Sequence, residues 1–364
     1  MPIPVPLSSY EHVPETKEQL DWADLPTIDL SKYATDEGRA ELAATLIDAI
    51  RTKGFFYVTN FGISQAAVDR QFALGQEFYE LPLDEKSKYT PDLENGEYNG
   101  YRPAGRRVLA NGIKDSIEVY NIPKPEVPQQ FPQVIADNLP EIHDFQRQLH
   151  EQVLYPLFTL IETALELPAG YFADLHRFEN AQESHLRYMK YSRLSAEDYA
   201  QLEAGDGLNT QGHTDLGTIT LLFRQPVAGL QIKDHATGEW KWAKPLDASL
   251  TVNTCDALSF LTGNYVRSTV HRVHVPPKDQ RGVDRLGLLY FARPDNDLVL
   301  KTVPSPRLQR EGFTTNEFER SDLPVPTMRE FTKAKQTWQQ QKSSTFRAKE
   351  GQTIVPGFKG LYHD

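Results

Sequence analysis

The first third of the chain alternates short apolar segments with helical periodicity. Residues 25–30 alternate apolar and polar side chains and predict a strand, and residues 37–52 then repeat apolar side chains at helical spacing. Residues 54–59 are aromatic and β-branched and predict a second strand, after which Ser64 supplies the hydroxyl expected at the start of a second helix. We expect both helices to pack on a sheet.

The middle of the chain holds a stretch without periodicity and a long helical pattern. Residues 91–107 are rich in Gly, Asn, Tyr and Arg, and they predict a long loop that is either an active-site lid or a plain connection. Residues 139–167 carry one apolar stripe and predict a single long helix that backs the core.

From Ser184 onward the pattern changes to short β-type runs separated by turns, and a last helix is predicted over 328–340. The predicted strands span 185–191, 218–224, 229–232, 250–253, 257–261, 268–275 and 285–291. Strands at this spacing are typical of a sandwich, barrel or jelly roll rather than of a parallel α/β sheet. We therefore expect an N-terminal helix and strand region (1–180) that packs on a β-rich core (181–300), followed by a C-terminal segment (301–364).

Charge and cysteine content narrow the classes of function. The 364 residues carry a formal net charge of −11, which repels phosphate backbones and anionic lipid headgroups and argues against nucleic-acid and membrane partners. Because Cys255 is the single cysteine, any metal site must use His, Asp or Glu. The N-terminus lacks the basic and apolar regions of a signal peptide, and no apolar run has the length of a membrane helix. We expect a cytoplasmic protein.

Candidate metal ligands lie in the β-rich half. His213 and Asp215 are two positions apart, and in a strand such residues point to the same face. His271 on a later predicted strand supplies a third ligand, and two histidines with one carboxylate form the set that leaves open positions on Fe(II) for oxygen chemistry. His274 would face the opposite side of its strand, and His235 falls in a predicted hairpin turn, so neither is expected to bind the metal.

Seven segments follow one another in a specific order and spacing. They are Leu25-Pro-Thr-Ile-Asp-Leu30, Gly54-Phe-Phe-Tyr-Val-Thr-Asn-Phe-Gly-Ile63, Phe78-Tyr-Glu-Leu-Pro82, Gly212-His-Thr-Asp-Leu-Gly-Thr-Ile-Thr-Leu-Leu222, Gly229-Leu-Gln-Ile232, Val252-Asn-Thr-Cys-Asp-Ala-Leu258 and Ser268-Thr-Val-His-Arg-Val273. Together they resemble the isopenicillin-N-synthase-like family of iron(II)- and 2-oxoglutarate-dependent dioxygenases. The resemblance implies a distorted double-stranded β-helix, or jelly roll, flanked by helices, with the iron at its mouth. It also implies that the C-terminal segment contributes to the substrate pocket.

The resemblance extends to the residues that would bind 2-oxoglutarate. Arg285 matches the arginine that holds the distal carboxylate of the cosubstrate, and Tyr191 matches the tyrosine that supports it. Two positions depart from the family pattern, because Met189 replaces an asparagine and Gly287 replaces the serine of an Arg-x-Ser motif. A water, a neighbouring side chain or a different cosubstrate could account for the missing serine. From the residues alone, Arg285 could instead pair with Asp284 or Asp256 on the surface.

The implied activity is the oxidation, most simply the hydroxylation, of a C–H bond in a small organic molecule, with secondary metabolism as one setting. The cofactor would be iron(II), and 2-oxoglutarate and oxygen would be consumed as cosubstrates. Ascorbate would support the activity. Two alternatives stay open at this point. One is an iron oxidase that does not use 2-oxoglutarate, and the other is a catalytically silent binding protein on the same barrel.

Overall fold

A computed structural model describes residues 7–109, 112–321, 323–340 and 350–360 of the chain. The first six residues of the N-terminal segment, on which the expectation of no signal peptide partly depends, lie outside this range. The strands are β1 (Thr27–Asp29), β2 (Phe55–Thr59), β3 (Gly100–Arg102), β4 (Ile117–Pro123), β5 (His185–Tyr191), β6 (Leu208–His213), β7 (Ile219–Phe223), β8 (Leu230–Lys233), β9 (Trp240–Trp242), β10 (Ser249–Thr254), β11 (His271–His274), β12 (Arg285–Ala292), β13 (Thr353–Val355) and β14 (Phe358–Lys359).

Two sheets form the centre of the molecule. The larger has the order β1-β2-β10-β7-β12-β5-β4-β3, and the smaller has the order β6-β11-β8-β9. Only β1 and β2 run parallel among these pairs, and the non-consecutive neighbours reflect strands that cross between the sheets. This arrangement, with helices on the outside of the larger sheet, confirms the jelly-roll prediction.

Helices cover the outer face of the larger sheet. The helices of the described chain are α1 (Asp36–Thr52), α2 (Gln65–Glu80), α3 (Leu83–Ser87), α4 (Gln133–Ala136), α5 (Leu139–Leu149), α6 (Tyr155–Leu165), α7 (Tyr171–Leu175), α8 (Ala196–Glu203), α9 (Asp256–Leu261), α10 (Pro306–Glu311) and α11 (Met328–Gln340). Of these, α1, α2, α5 and α6 pack in the main core against the larger sheet, whereas α8 and α11 belong to separate clusters. Ser64 accepts a hydrogen bond from the backbone of Ala67 at 3.2 Å and so caps α2, as its position in the sequence predicts. Among the described residues, no helix is both long and apolar enough to cross a membrane.

The predicted single helix over 139–167 is interrupted. A π-helical segment, His150–Leu154, joins α5 to α6. The segment places the His150 ring against Tyr290 of β12, whose hydroxyl lies 3.1 Å from Nδ1 of the ring. Periodicity could not predict this interruption, because the apolar stripe continues through it with Val153 and Leu157 both fully buried.

Alternation along the strands of the larger sheet separates the core from an internal cavity. On β5, Leu186 and Tyr188 belong to the hydrophobic core with the helices, whereas Arg187, Met189 and Tyr191 line the cavity. The same division holds on β12, where alternate residues beginning at Arg285 face the cavity. The functional side chains therefore come from the inner face of a sheet whose outer face is fixed by helix packing.

Two other predictions of secondary structure were wrong. Residues 257–261, predicted as a strand, lie in α9. The prediction failed because four of these five residues are buried, and so short an apolar run has no periodicity that separates strand from helix. The predicted loop over 91–107 contains a 3-10 turn and strand β3, which pairs with β4 through Tyr101 and Tyr120. The burial of Tyr101 and Arg102 excludes a free loop at that point.

Candidate active site

Three side chains converge at one end of the smaller sheet. One donor atom from each of His213, Asp215 and His271 lies within 4.8 Å of the others. His213 ends β6 and His271 begins β11, and the two residues are directly paired across these antiparallel strands. Asp215 lies beyond the end of β6, so it approaches from the following segment and not, as predicted, by alternation within a strand.

Backbone hydrogen bonds orient both imidazoles. Nδ1 of His213 donates to the carbonyl oxygen of Gln211 at 2.9 Å, and Nδ1 of His271 donates to that of Thr269 at 3.1 Å. Each ring therefore presents its Nε2 toward Asp215, at 3.9 Å and 3.8 Å from its carboxylate oxygens. This second hydrogen bond fixes the tautomer that a metal requires of a histidine ligand.

Hydrogen bonds from two side chains also orient Asp215. Its Oδ2 accepts hydrogen bonds from Thr220 Oγ1 and Asn253 Nδ2, both at 2.9 Å, which leaves Oδ1 available to a cation. Neither Thr220 nor Asn253 was predicted as a site residue. Asn253 is on β10, and only the pairing of β10 with β7 brings it beside the carboxylate of Asp215.

The charge states suit a divalent metal. Burial, and after it the neighbouring His271, lowers the pKa of His213 to about 3, so this imidazole is neutral at physiological pH. Burial alone would raise the pKa of Asp215, but the two imidazoles and the hydrogen bonds from Asn253 and Thr220 hold it below its usual range. A ligand set of two imidazole nitrogens and one carboxylate fits iron(II) and would leave it a net positive charge.

The triad opens onto a cavity of about 430 Å³ between the two sheets. This volume falls within the range of small-molecule sites. Its walls include Leu222 of β7, Phe291 of β12 and, from the C-terminal part of the chain, Ile354 and Phe358.

Arg285 and Tyr191 face each other across β12 and β5 inside this cavity. The two residues are cross-strand partners, and the guanidinium carbon of Arg285 lies 5.0 Å from the centre of the tyrosine ring. Arg285 is buried, and its Nε donates to the carbonyl oxygen of Val227 at 3.2 Å. The surface alternative fails, because Asp284 pairs with Lys190 and Asp256 pairs with Lys335.

The space beside Gly287 is partly filled by Gln225. A Cβ atom on residue 287 would stand 3.7 Å from Gln225 Nε2 and 3.4 Å from the Cβ of Met189. Gln225 is buried, and both of its amide atoms lack a hydrogen-bond partner within the described structure. A buried amide without a partner is unusual and indicates that a ligand or water completes its hydrogen bonds.

The two other histidines named from the sequence lie away from the triad. His274 packs against Trp242, with ring centres 5.3 Å apart, and donates from Nδ1 to the carbonyl oxygen of Val275. His235 follows β8 in the turn before β9, and its Nε2 lies 2.9 Å from Thr269 Oγ1. Neither ring belongs to the group of donor atoms around Asp215.

Comparison with known proteins agrees with this geometry. Residues 25–140 match the family described as the N-terminal region of the non-haem dioxygenase in morphine synthesis, and residues 185–294 match the 2OG-Fe(II) oxygenase superfamily. The fold is similar to that of a full-length Neurospora crassa protein crystallised in complex with alpha-KG, with a TM-score of 0.73, 23% sequence identity and coverage of 88% of this chain and 99% of that one.

Two fungal relatives are similar to this chain over most of its length. The 2-oxoglutarate-dependent dioxygenase citB of Monascus ruber is 30% identical over 288 residues, covering 73% of this chain and 84% of its own. The 2-oxoglutarate-dependent dioxygenase frbH of Dothideomycetidae sp. (strain 11243) is 29% identical over 310 residues, covering 83% of this chain and 92% of its own. The chain therefore belongs to the non-haem dioxygenases that depend on iron(II) and 2-oxoglutarate.

Proposed function

We propose that His213, Asp215 and His271 hold the catalytic iron(II) and that the enzyme hydroxylates a C–H bond of a small organic molecule. The observation that carries the assignment is the convergence of three oriented donor atoms on one point of the cavity wall. Bound there, iron(II) would supply, with 2-oxoglutarate and oxygen, the oxidant for the reaction, and ascorbate would keep the metal reduced. The protein contributes ligand orientation, substrate positioning and exclusion of water.

Arg285 and Tyr191 are the proposed anchors for the distal carboxylate of 2-oxoglutarate. A buried guanidinium that faces a cavity, and that pairs with no acid among the described residues, fits a carboxylate that carries two acceptor oxygens. We assign Gln225 the hydrogen bond that a serine at position 287 would make, because its amide lies beside the bare backbone of Gly287.

The division of the chain follows from the same proposal. Residues 181–300 supply every proposed ligand, residues 1–180 supply β1 to β4 of the larger sheet and helices that pack on it, and the described part of residues 301–364 closes part of the cavity. Ile354 and Phe358 on its wall support the last role. We also propose a cytoplasmic setting and a place in secondary metabolism, the latter because citB and frbH are fungal 2-oxoglutarate-dependent dioxygenases.

The test is a reaction that contains the purified protein, iron(II), ascorbate, 2-oxoglutarate and a metabolite extract. We expect one metabolite to gain one oxygen atom while succinate forms in equal amount. Oxidation of a metabolite without consumption of 2-oxoglutarate would instead identify a cosubstrate-independent oxidase. Failure of the protein to bind iron(II) under anaerobic conditions would identify a silent binding protein.

A further inference from the structure

A second arginine lies on the cavity face of β5. Arg187 precedes Tyr191 by four residues on the same face of this strand, which corresponds to about 13 Å along the strand. Its cross-strand neighbours are Asn121 on β4 and Leu289 on β12. Arg187 therefore stands at the opposite end of the cavity wall from the Arg285 and Tyr191 pair.

Besides Arg187 and Arg285, four arginines line the cavity. Three of them, Arg102, Arg106 and Arg293, are paired with acids, and the fourth, Arg107, is exposed. Nη2 of Arg102 donates to the carboxylate of Asp115 at 2.8 Å. Nη1 of Arg293 donates to the carboxylate of Glu183 at 3.0 Å. Their charges are thus balanced within the protein.

Arg187 has no such partner. Its Nε donates to the neutral side chain of Asn121 at 2.7 Å, and its guanidinium carbon lies 4.4 Å from the centre of the Phe291 ring. No carboxylate in the described ranges forms an ion pair with it. Burial lowers the pKa of Arg187 to about 10, although the negative charge of Asp215 acts in the opposite direction. In the proposed site, the charge of Asp215 is offset by the metal.

We propose that Arg187 binds a carboxylate of the substrate, so that the enzyme oxidises small organic acids. The inference rests on the proposed oxygenase function. An arginine held in place by Asn121 and Phe291 presents its terminal nitrogens to a ligand with little loss of side-chain freedom. A substrate carboxylate would balance a partly buried charge that has no ion pair among the described residues.

The cosubstrate is the other possible source of a carboxylate. Its distal carboxylate is assigned to Arg285 and its other end to the metal, whereas Arg187 lies four residues from Tyr191 along β5. The substrate is therefore the ligand to which we assign Arg187, and binding of 2-oxoglutarate is measured separately in the test below.

The first experiment identifies the charge of the substrate. A metabolite extract is divided by anion exchange at neutral pH into retained acids and unretained neutral and basic molecules, and each pool is incubated with the complete enzyme. We expect the molecule that gains oxygen to be in the retained pool and to disappear as a substrate after methyl esterification. Oxygenation in the unretained pool overturns the inference but not the proposed function. If neither pool yields a product or substrate-dependent succinate, the proposed function itself fails.

The second experiment uses Arg187→Gln and Arg187→Lys, with Arg310→Gln as a control at an exposed ion pair with Glu166. We expect the KM for the acid to rise at least tenfold in Arg187→Gln, to recover partly in Arg187→Lys and to stay unchanged in the control. Calorimetric binding of 2-oxoglutarate to the Mn(II)-loaded protein should not change. Weaker 2-oxoglutarate binding would assign Arg187 to the cosubstrate. The Tm of unliganded Arg187→Gln should equal or exceed that of the wild type, and a lower Tm with a general loss of activity would assign Arg187 a structural role.

Discussion

The side-chain nitrogen of Gln225 lies 3.7 Å from the point at which a Cβ atom on residue 287 would stand. If Gln225 supplies the hydrogen bond that the missing serine would make, its removal should weaken the binding of 2-oxoglutarate. A hydrogen bond to a charged group contributes about 1.5–3 kcal/mol, which corresponds to roughly tenfold or more in affinity. We therefore expect Gln225→Ala to raise the 2-oxoglutarate concentration for half-maximal succinate release by about tenfold.

The matched variant is Gly287→Ser, introduced both into the wild type and into Gln225→Ala. Residue 287 has room for a side chain, with its nearest neighbours at 3.4 Å from the Cβ position. In the wild-type background we expect a modest decrease in the required 2-oxoglutarate concentration, and in Gln225→Ala the serine should restore most of the lost affinity. An unchanged requirement in Gln225→Ala would remove this residue from the cosubstrate site.

Alanine at any member of the triad should abolish turnover and iron binding. Each residue supplies one of three ligand atoms, and no other described His, Cys, Asp or Glu joins the group. We expect Asp215→Ala to retain less than about one hundredth of wild-type activity, measured as succinate release, and to lose anaerobic iron(II) binding. His274→Ala and His235→Ala serve as controls and should keep full iron stoichiometry. Full activity of Asp215→Ala would contradict the assignment.

Arg285→Ala should increase the requirement for 2-oxoglutarate far more than that for substrate. Removing one partner of a buried charged pair costs on the order of 2–5 kcal/mol, which is more than tenfold in affinity. The measurement is a titration of each reactant at saturating concentration of the other. Arg285→Lys, which keeps the charge but loses the planar fork, should give an intermediate value. An equal effect on both reactants would argue for a general structural role.

Loss of the hydrogen bonds to Asp215 should weaken metal binding without removing a ligand. Thr220 and Asn253 fix the same carboxylate oxygen, and partners of this kind typically contribute about 10–100-fold to metal affinity. We expect Thr220→Val and Asn253→Ala to weaken anaerobic iron(II) binding by about tenfold or more, whereas Thr220→Ser should bind as the wild type does. Wild-type affinity for iron(II) in both Thr220→Val and Asn253→Ala would show that Asp215 is oriented by its backbone alone.

Acid should destabilise the protein before its carboxylates titrate. His176 is fully buried, and burial lowers its pKa to about 3, while burial lowers that of His150 to about 4. The unfolded chain, in which these groups have a pKa near 6.5, therefore binds more protons than the folded protein below that pH. Each group should reduce the free energy of unfolding by about 1.4 kcal/mol per pH unit as the pH falls below about 6.5. Denaturant unfolding at pH 7, 6 and 5 should show this slope, and a smaller slope in His176→Gln.

The triad was predictable because its residue types, their spacing and their surroundings all appear in the printed sequence. His213 and Asp215 are two residues apart, and the segment around His271 matches the family pattern. The roles of Asn253 and Gln225 could not be predicted in this way. Each acts on a residue that is distant in sequence, and only the tertiary structure brings the partners together.

Arg187 illustrates a second limit of sequence reasoning. Its sequence position places it on a predicted strand with Tyr191, so its face could be inferred. Its lack of an acid partner could not, because Asp115 and Glu183 are committed to other arginines by contacts between separate elements. The same dependence on tertiary packing explains the error at 257–261, a short segment in which four of five residues are buried and periodicity therefore does not separate strand from helix.

The proposed iron ligands come from β6, β11 and the segment after β6, whereas Arg285, Tyr191 and Arg187 all project from β5 and β12 of the other sheet. Substitutions on β5 and β12 could therefore exchange one organic acid for another, or dispense with the cosubstrate, while the metal-binding strands stay intact. In such a fold, substitutions on the larger sheet can change which reactants bind, while the smaller sheet keeps the metal and its redox chemistry. Gly287 and Met189, which are paired across β12 and β5 of the larger sheet, are departures from the family pattern of the kind that this division permits.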